Sequence, residues 1–130
     1  MPAARVLIVE DNSLVAKFYR MALERAGSFS CLVTENVDEI LREVEAGAVD
    51  VAILDVSLSD SRYQGEPVDG VMLAQMLKER RPKLPILLAT AHAMTGDRER
   101  LMAASGADDY LEKPVYDAQL LVDKVKGLLK

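Results

Sequence analysis

Five apolar runs, Arg5 to Val9, Phe29 to Val33, Val51 to Leu54, Ile86 to Ala89 and Asp109 to Leu111, alternate along the chain with segments whose apolar residues recur at helical spacing. Three of the runs, VLIV, VAIL and ILLA, are continuously aliphatic, the pattern of parallel strands covered by helices on both faces. FSCLVTE lacks that continuity and reads as an edge strand. A strand followed by a helix, repeated five times with short connections and right-handed crossovers, predicts a doubly wound five-stranded parallel α/β sheet with five helices. In such a sheet the loops after the strands' carboxyl ends form the binding crevice.

The helical segments are marked by their caps. Between Asn12 and Gly27, Leu14, Phe18, Met21 and Ala22 fall on one face, with Asn12 or Ser13 as N-cap and Gly27 as a left-handed stop. Asn36 caps a second helix carrying Val37, Ile40, Leu41 and Val44, which Gly47 closes. A third begins near Asp69-Gly70, carries Leu73, Ala74 and Leu77, and stops before Pro82. The fourth, about Gly96 to Ser105, offers only Leu101, Met102, Ala103 and Ala104 and is expected to pack lightly. The last, Asp117 to Leu129, sets Leu121, Val125 and Leu128 on one side. Strand starts at residues 5, 29, 51, 86 and 109 are separated by 24, 22, 35 and 23 residues. The long interval holds SLSDSRYQGEPV, rich in turn formers and charge without apolar period, and predicts an enlarged loop at about 56–68.

Composition narrows the class. With 130 residues, half of them apolar, the chain suffices for one closed core, so residues 1–130 are read as a single domain. Sixteen Lys and Arg against 21 Asp and Glu give a net charge of −5, the wrong sign for holding a polyanion, and direct nucleic-acid binding is not expected. The longest apolar stretch, Leu84 to Met94, is broken by Pro85, Thr90 and His92 and is too short for a membrane span. Met1 to Arg5 lacks the features of a secretory signal, and a cytoplasmic location is expected. The lone Cys31 reads as a small core residue.

The residues at the strand ends carry the chemistry: Glu10 and Asp11, then Asp55, then Thr90, then Lys113. Each has an ordinary role open to it. Asp11 is placed to cap a helix, Asp55 to begin a turn, Thr90 to fill a strand and Lys113 to sit in solvent. Taken together, however, the predicted topology brings all five to one crevice. Three carboxylates in one place repel one another, and the usual remedies are a raised pKa or a bound divalent cation. Oxygen ligands favour magnesium, which needs only one or two direct carboxylates and brings phosphate oxygens up to an acidic cleft. Lys113 adds a fixed positive charge and Thr90 a hydroxyl donor, together able to neutralise a phosphoryl group at Asp55.

VLIVEDN, VAILDVSL, Asp69-Gly70, ILLATA and GADDYLEKP, in this order and across essentially the whole chain, resemble the CheY-like receiver domain of two-component response regulators. The resemblance implies a flavodoxin-like sheet of strand order 2-1-3-4-5. It implies that Asp55 accepts a phosphoryl group from a phosphohistidine on a histidine kinase or phosphotransfer protein. Mg2+ (or Mn2+) would be held by Asp11, Asp55 and the backbone carbonyl of Ser57, with Glu10 helping through water. Thr90 and Lys113 match the residues that contact the phosphoryl oxygens, and the Lys113-Pro114 bond would be cis. Tyr110 would rotate into space that the Thr90 hydroxyl vacates, with a static core aromatic as the plainer alternative. The readout would fall on the face of the fourth helix, fifth strand and fifth helix, for a downstream protein target or a homodimer formed on activation. Such a chain is not an enzyme with a separate substrate; it catalyses only its own phosphorylation and dephosphorylation.

Departures from the family pattern lie close to the site. The loop at 56–68 is longer than usual and has three roles open: restricting access, forming a docking surface, or standing as a solvated insertion. The resemblance places His92 beside the phosphoryl group, and Ser57, Ala91 and His92 are candidates for tuning its lifetime. A dehalogenase-type phosphatase would need a second acid two residues beyond its nucleophile, where this chain has Ser57. A flavodoxin-type cofactor phosphate would be repelled by Glu10 and Asp11. A pseudo-receiver, an interaction module never phosphorylated, is opposed by the intact set of five residues and kept open by the enlarged loop.

Overall fold

Continuous aliphatic strands have no polar face, so their side chains divide by alternation between two cores. In the computed structural model, which describes residues 3–58, 61–91 and 97–129, the five runs form one parallel sheet. Its strands are β1 (Arg5–Val9), β2 (Ser30–Val33), β3 (Val51–Asp55), β6 (Ile86–Thr90) and β7 (Asp109–Glu112), ordered β2-β1-β3-β6-β7. Counting only these strands, this is the expected order 2-1-3-4-5, and the half-exposed β2 lies at an edge. Helices α1 (Ser13–Ala26) and α5 (Ala118–Leu128) cover one face, packing on Val6, Ile8, Ile53, Leu87 and Leu111. On the other face α2 (Val37–Glu45) and α3 (Gly70–Arg80) pack on Leu7, Val9, Leu54 and Leu88. Helix α4 (Asp97–Ser105) is the lightly packed one, with Ser105 its one buried residue and Leu101 partly buried against the core.

The caps act as their residue types dictate. Asn12 Oδ1 accepts from the amides of Leu14 and Val15, while Asn36, Asp69 and Asp117 cap α2, α3 and α5 in the same way. Two expectations for α1 are corrected. Its sheet-facing residues are Ala16, Tyr19, Ala22 and Leu23, whereas Leu14 is 78% and Met21 38% exposed. The small Ala16 and Ala22 admit the helix close to the sheet and displace the Leu14–Phe18 stripe to its flank. Gly27 is not left-handed: its φ is −104°, and the positive φ falls on Ser28. A Cβ on Gly27 would lie 2.6 Å from a ring carbon of Phe29, so a larger residue there requires that ring to shift.

The enlarged loop is also more ordered than an insertion without period suggests. Arg62–Tyr63 (β4) and Glu66–Pro67 (β5) pair antiparallel around Gln64 and Gly65, both with positive φ, the geometry of a two-residue hairpin turn. Ser61 and Val68 at its base are buried, the Ser61 hydroxyl donates to the Glu35 carbonyl, and Tyr63 packs against the core beside α2 and α3. The segment therefore folds back onto the body of the domain and spans the β3 and β2 ends of the sheet.

The amide of Gly70 donates to the Val56 carbonyl, bringing the start of α3 against the end of β3. A Cβ on Gly70 would stand 2.0 Å from the Asp55 carbonyl oxygen and 2.8 Å from Val56 Cα, backbone atoms with no freedom to yield. Gly70→Ala is expected to destabilise the fold by about 2–3 kcal/mol. Urea unfolding measures this, and a midpoint equal to wild type would show that the β3–α3 junction tolerates displacement.

Candidate functional site

Alternation aims the strand-end residues. Glu10 continues the parity of Val6 and Ile8, and Asp55 that of Val51 and Ile53, so both project toward the α1–α5 side of the sheet. Both are buried at 4% exposure, and Asp11, next in the chain, is half-buried. One carboxylate oxygen from each of Glu10, Asp11 and Asp55 lies within 4.8 Å of the others. Asp55 and Thr90 are the last residues of their strands rather than the first of the loops. The hydrogen bonds continue past them, with the Val56 amide on the Ala89 carbonyl and the Lys113 amide on the Thr90 carbonyl.

Lys113 reaches into this cluster just beyond β7, before a cis Lys113-Pro114 bond. Its Nζ donates to Glu10 Oε1 at 2.8 Å and to Asp55 Oδ2 at 3.2 Å. The remaining oxygens are also oriented: the Asn12 amide donates to Glu10 Oε2 and the Ser57 amide to Asp55 Oδ1, each at 3.2 Å. Burial raises the Glu10 carboxyl to about 7, and the neighbouring Asp55 adds to the rise against the lowering pull of Lys113. Burial alone would lower the Lys113 ammonium, but the Glu10 and Asp55 carboxylates outweigh it and hold its pKa above the ordinary lysine value. One ammonium cannot balance three carboxylates. The donor set therefore fits a hard divalent cation, with oxygen ligands and a residual negative charge.

The other expected residues fall around this centre. Thr90, buried, ends the strand beside β3, and Ser57 is exposed on the loop that follows Asp55. Ala91 is exposed and borders a groove of about 450 Å³ that runs past Lys113 and Pro114 to Leu14, Phe18 and the 87% exposed Tyr116. His92 lies outside the described residues. Tyr110 is not part of the charge cluster. It stands half-buried on β7, and its hydroxyl accepts from Arg98 Nη1 of α4 at 2.9 Å.

Sequence reasoning missed two residues near the site. Tyr19 is buried on α1 with its hydroxyl unpartnered among the described residues; burial pushes its phenol up, and the Glu10 and Asp55 charges add to this. Its spacing of three from Ala16 and Ala22 was the available signal. Arg98, twelve residues before Tyr110, gave none. Cys31 is half-buried on the edge strand, and burial pushes its thiol up to about 11, in keeping with an inert packing role. No helix among the described residues is long and apolar enough to cross a membrane.

Comparison with known proteins bears on the family and the fold. The family model for the response regulator receiver domain matches residues 6–126. The DNA-binding transcriptional regulator NtrC of Klebsiella pneumoniae is 37% identical over 121 residues, covering 90% of this chain and 24% of that protein. The transcriptional regulatory protein TrcR of Mycobacterium tuberculosis is 32% identical over 126 residues, covering 97% of this chain and 45% of that protein. The chain thus spans a quarter to a half of these relatives' lengths. The crystal structure of a CheY-like response regulator receiver domain protein from Methanospirillum hungatei superposes with a TM-score of 0.79 at 25% identity, covering 98% of this chain and 94% of that one. Since the family match runs from the first strand into the last helix and the fold agrees with it, the chain belongs to the response regulator receiver domain family.

Proposed function

We propose that this chain is a phosphorylatable receiver acting in the cytoplasm. Asp55 takes a phosphoryl group from a phosphohistidine of a histidine kinase or phosphotransfer protein, and the modified domain signals to a downstream protein target. The observation that carries the reading is the convergence of Glu10, Asp11 and Asp55 oxygens within 4.8 Å beside the Lys113 ammonium. An Asp55 oxygen attacks phosphorus in line; the bond from phosphorus to the donor imidazole nitrogen breaks as the new P–O bond forms, and the imidazole takes up a proton. Asp11, Asp55 and the Ser57 backbone carbonyl, with Glu10 behind them, would hold Mg2+ or Mn2+. When bound, the ion supplies neutralisation of the charge that otherwise keeps an anionic phosphoryl group out. Lys113, already bonded to Asp55 Oδ2, pairs with the phosphoryl oxygens, and the Thr90 hydroxyl at the adjoining strand end donates to them. Ala91, with no group beyond its methyl, leaves that rim open, and a tuning role for His92 belongs to the same proposal.

The apolar groove gives the protein donor a place to dock, since it shares Ala91 and Lys113 with the site and exposes Leu14 and Tyr116. Leu14→Asp is expected to slow transfer from a phosphorylated histidine kinase by roughly tenfold or more, the worth of one buried leucine. Modification by a small acyl phosphate should be unchanged. Equal slowing with both donors would place the defect in the chemistry and not in docking.

The central test is intact-mass spectrometry after incubation with a small acyl-phosphate donor. Wild type should gain one phosphoryl group in a magnesium-dependent manner, and Asp55→Asn none. No gain from that donor or from a phosphorylated kinase would establish a pseudo-receiver instead.

Proton linkage offers a separate check on the metal-free site. Glu10 carries a folded-state pKa of about 7 against an ordinary 4.5. Between these values the folded protein keeps a proton that the unfolded chain has lost, so stability falls as pH rises through this window. From pH 5 to pH 7 in a chelator, wild type should lose about 1–3 kcal/mol relative to Glu10→Gln. Urea unfolding at both pH values measures it, and parallel profiles for the two proteins would contradict the buried-acid account.

A further inference from the structure

Tyr110 shares a sheet face with Thr90. Tyr110 pairs in register with Leu88, and Thr90 follows Leu88 by two residues on β6, so both side chains project toward the α3–α4 side. Two cations from two different helices hold the Tyr110 ring. Arg98, in the first turn of α4, donates from Nη1 to the Tyr110 hydroxyl at 2.9 Å, and its guanidinium carbon lies 4.6 Å from the ring centroid. Lys124 of α5 places its Nζ 4.9 Å from the same centroid. Asp109 accepts from Lys124 Nζ on both carboxylate oxygens at 3.4 Å and, through Oδ1, from the Tyr110 amide at 2.8 Å, which ties the ammonium beside the ring.

We propose that Arg98 and Lys124 are positioning residues that set the threshold of the phosphorylation switch by restraining Tyr110. The proposal rests on the reading of Asp55 as phosphoacceptor and of Tyr110 as the aromatic that follows Thr90 inward. To move away, Tyr110 must give up a charge-assisted hydrogen bond and two cation–π contacts. Stabilising that conformation weakens, by linkage, whatever stabilises the other, so the clamp lowers the affinity of the site for a phosphoryl group or its mimic. It also connects the switch to the surface. Helix α4 buries little, and its described ties to the rest of the domain include the Arg98–Tyr110 bond at its start and the bond from Gln75 Nε2 to the Ala104 carbonyl near its end. Movement of Tyr110 therefore frees the first turn of α4 while the last stays fastened to α3.

The test is titration of beryllofluoride with magnesium into tyrosine-labelled protein, followed by NMR, with the Tyr110 signal assigned from Tyr110→Phe. Arg98→Ala should bind beryllofluoride roughly three- to tenfold more tightly than wild type. Its Tyr110 signal without ligand should be shifted toward the bound position. Arg98→Lys should fall between the two, and Lys124→Gln should act in the same direction. A merely structural role would instead move the urea midpoint and leave the affinity untouched. If wild type binds beryllofluoride and its Tyr110 signal shifts, but Arg98→Ala titrates at the same midpoint, the clamp is overturned and the phosphoacceptor reading stands. If wild type binds none and gains no phosphoryl group at Asp55, the phosphoacceptor reading falls and the clamp with it.

Discussion

Repulsion among three carboxylates is the constraint around which this domain is built. Chains left free to relax would move Glu10, Asp11 and Asp55 apart; here β1 and β3 are neighbours in a sheet whose central residues are fully buried, and neither strand can retreat. Lys113 relieves part of the strain by bonding Glu10 and Asp55 together. The proton that Glu10 retains up to about pH 7 relieves another part. What remains is a residual negative charge on oxygen ligands, which suits a hard divalent cation. Packing energy from the two cores holds the acids in place, so the site is an expense of the fold and not a source of its stability.

The same logic explains which features could be read from the chain. Strands VLIV, VAIL and ILLA are legible because burial on both faces leaves only aliphatic residues, and their ends are legible because the last residues must turn polar where the crevice opens. Glu10, Asp55, Thr90 and Lys113 are therefore found by position as much as by type. The face of α1 was not legible. Its sheet-facing stripe is built from two alanines, Leu23 and Tyr19, while Leu14 and Phe18 lie along the groove. Of the face predicted for α1, Ala22 and Phe18 meet the core, while Leu14 and Met21 do not, because the helix is turned to bury Ala16, Tyr19 and Leu23. The hairpin at Arg62–Pro67 escaped for a different reason: two-residue strands have no period, and only the Gln64-Gly65 turn, both residues at positive φ, marks it. Contacts such as Arg98 with Tyr110 depend on how a helix lies against a strand, which no local pattern encodes.

The two flanks of the site are secured unequally. On the α2 side, the hairpin is anchored by the buried Ser61 and Val68, by the Ser61 bond to Glu35 and by Tyr63 against the core. Gly70 is pressed onto the Asp55 carbonyl with no room for a methyl group. Little displacement is available there. On the α4 side, the helix contributes one buried residue and is fastened by polar contacts whose ends sit on separate elements, Tyr110 on β7 and Gln75 on α3. A rearrangement at Thr90 and Lys113, the strand ends nearest that flank, meets the least resistance in its direction. The hairpin and Gly70 thus hold one flank of the site, while the α4 flank rests on contacts between separate elements.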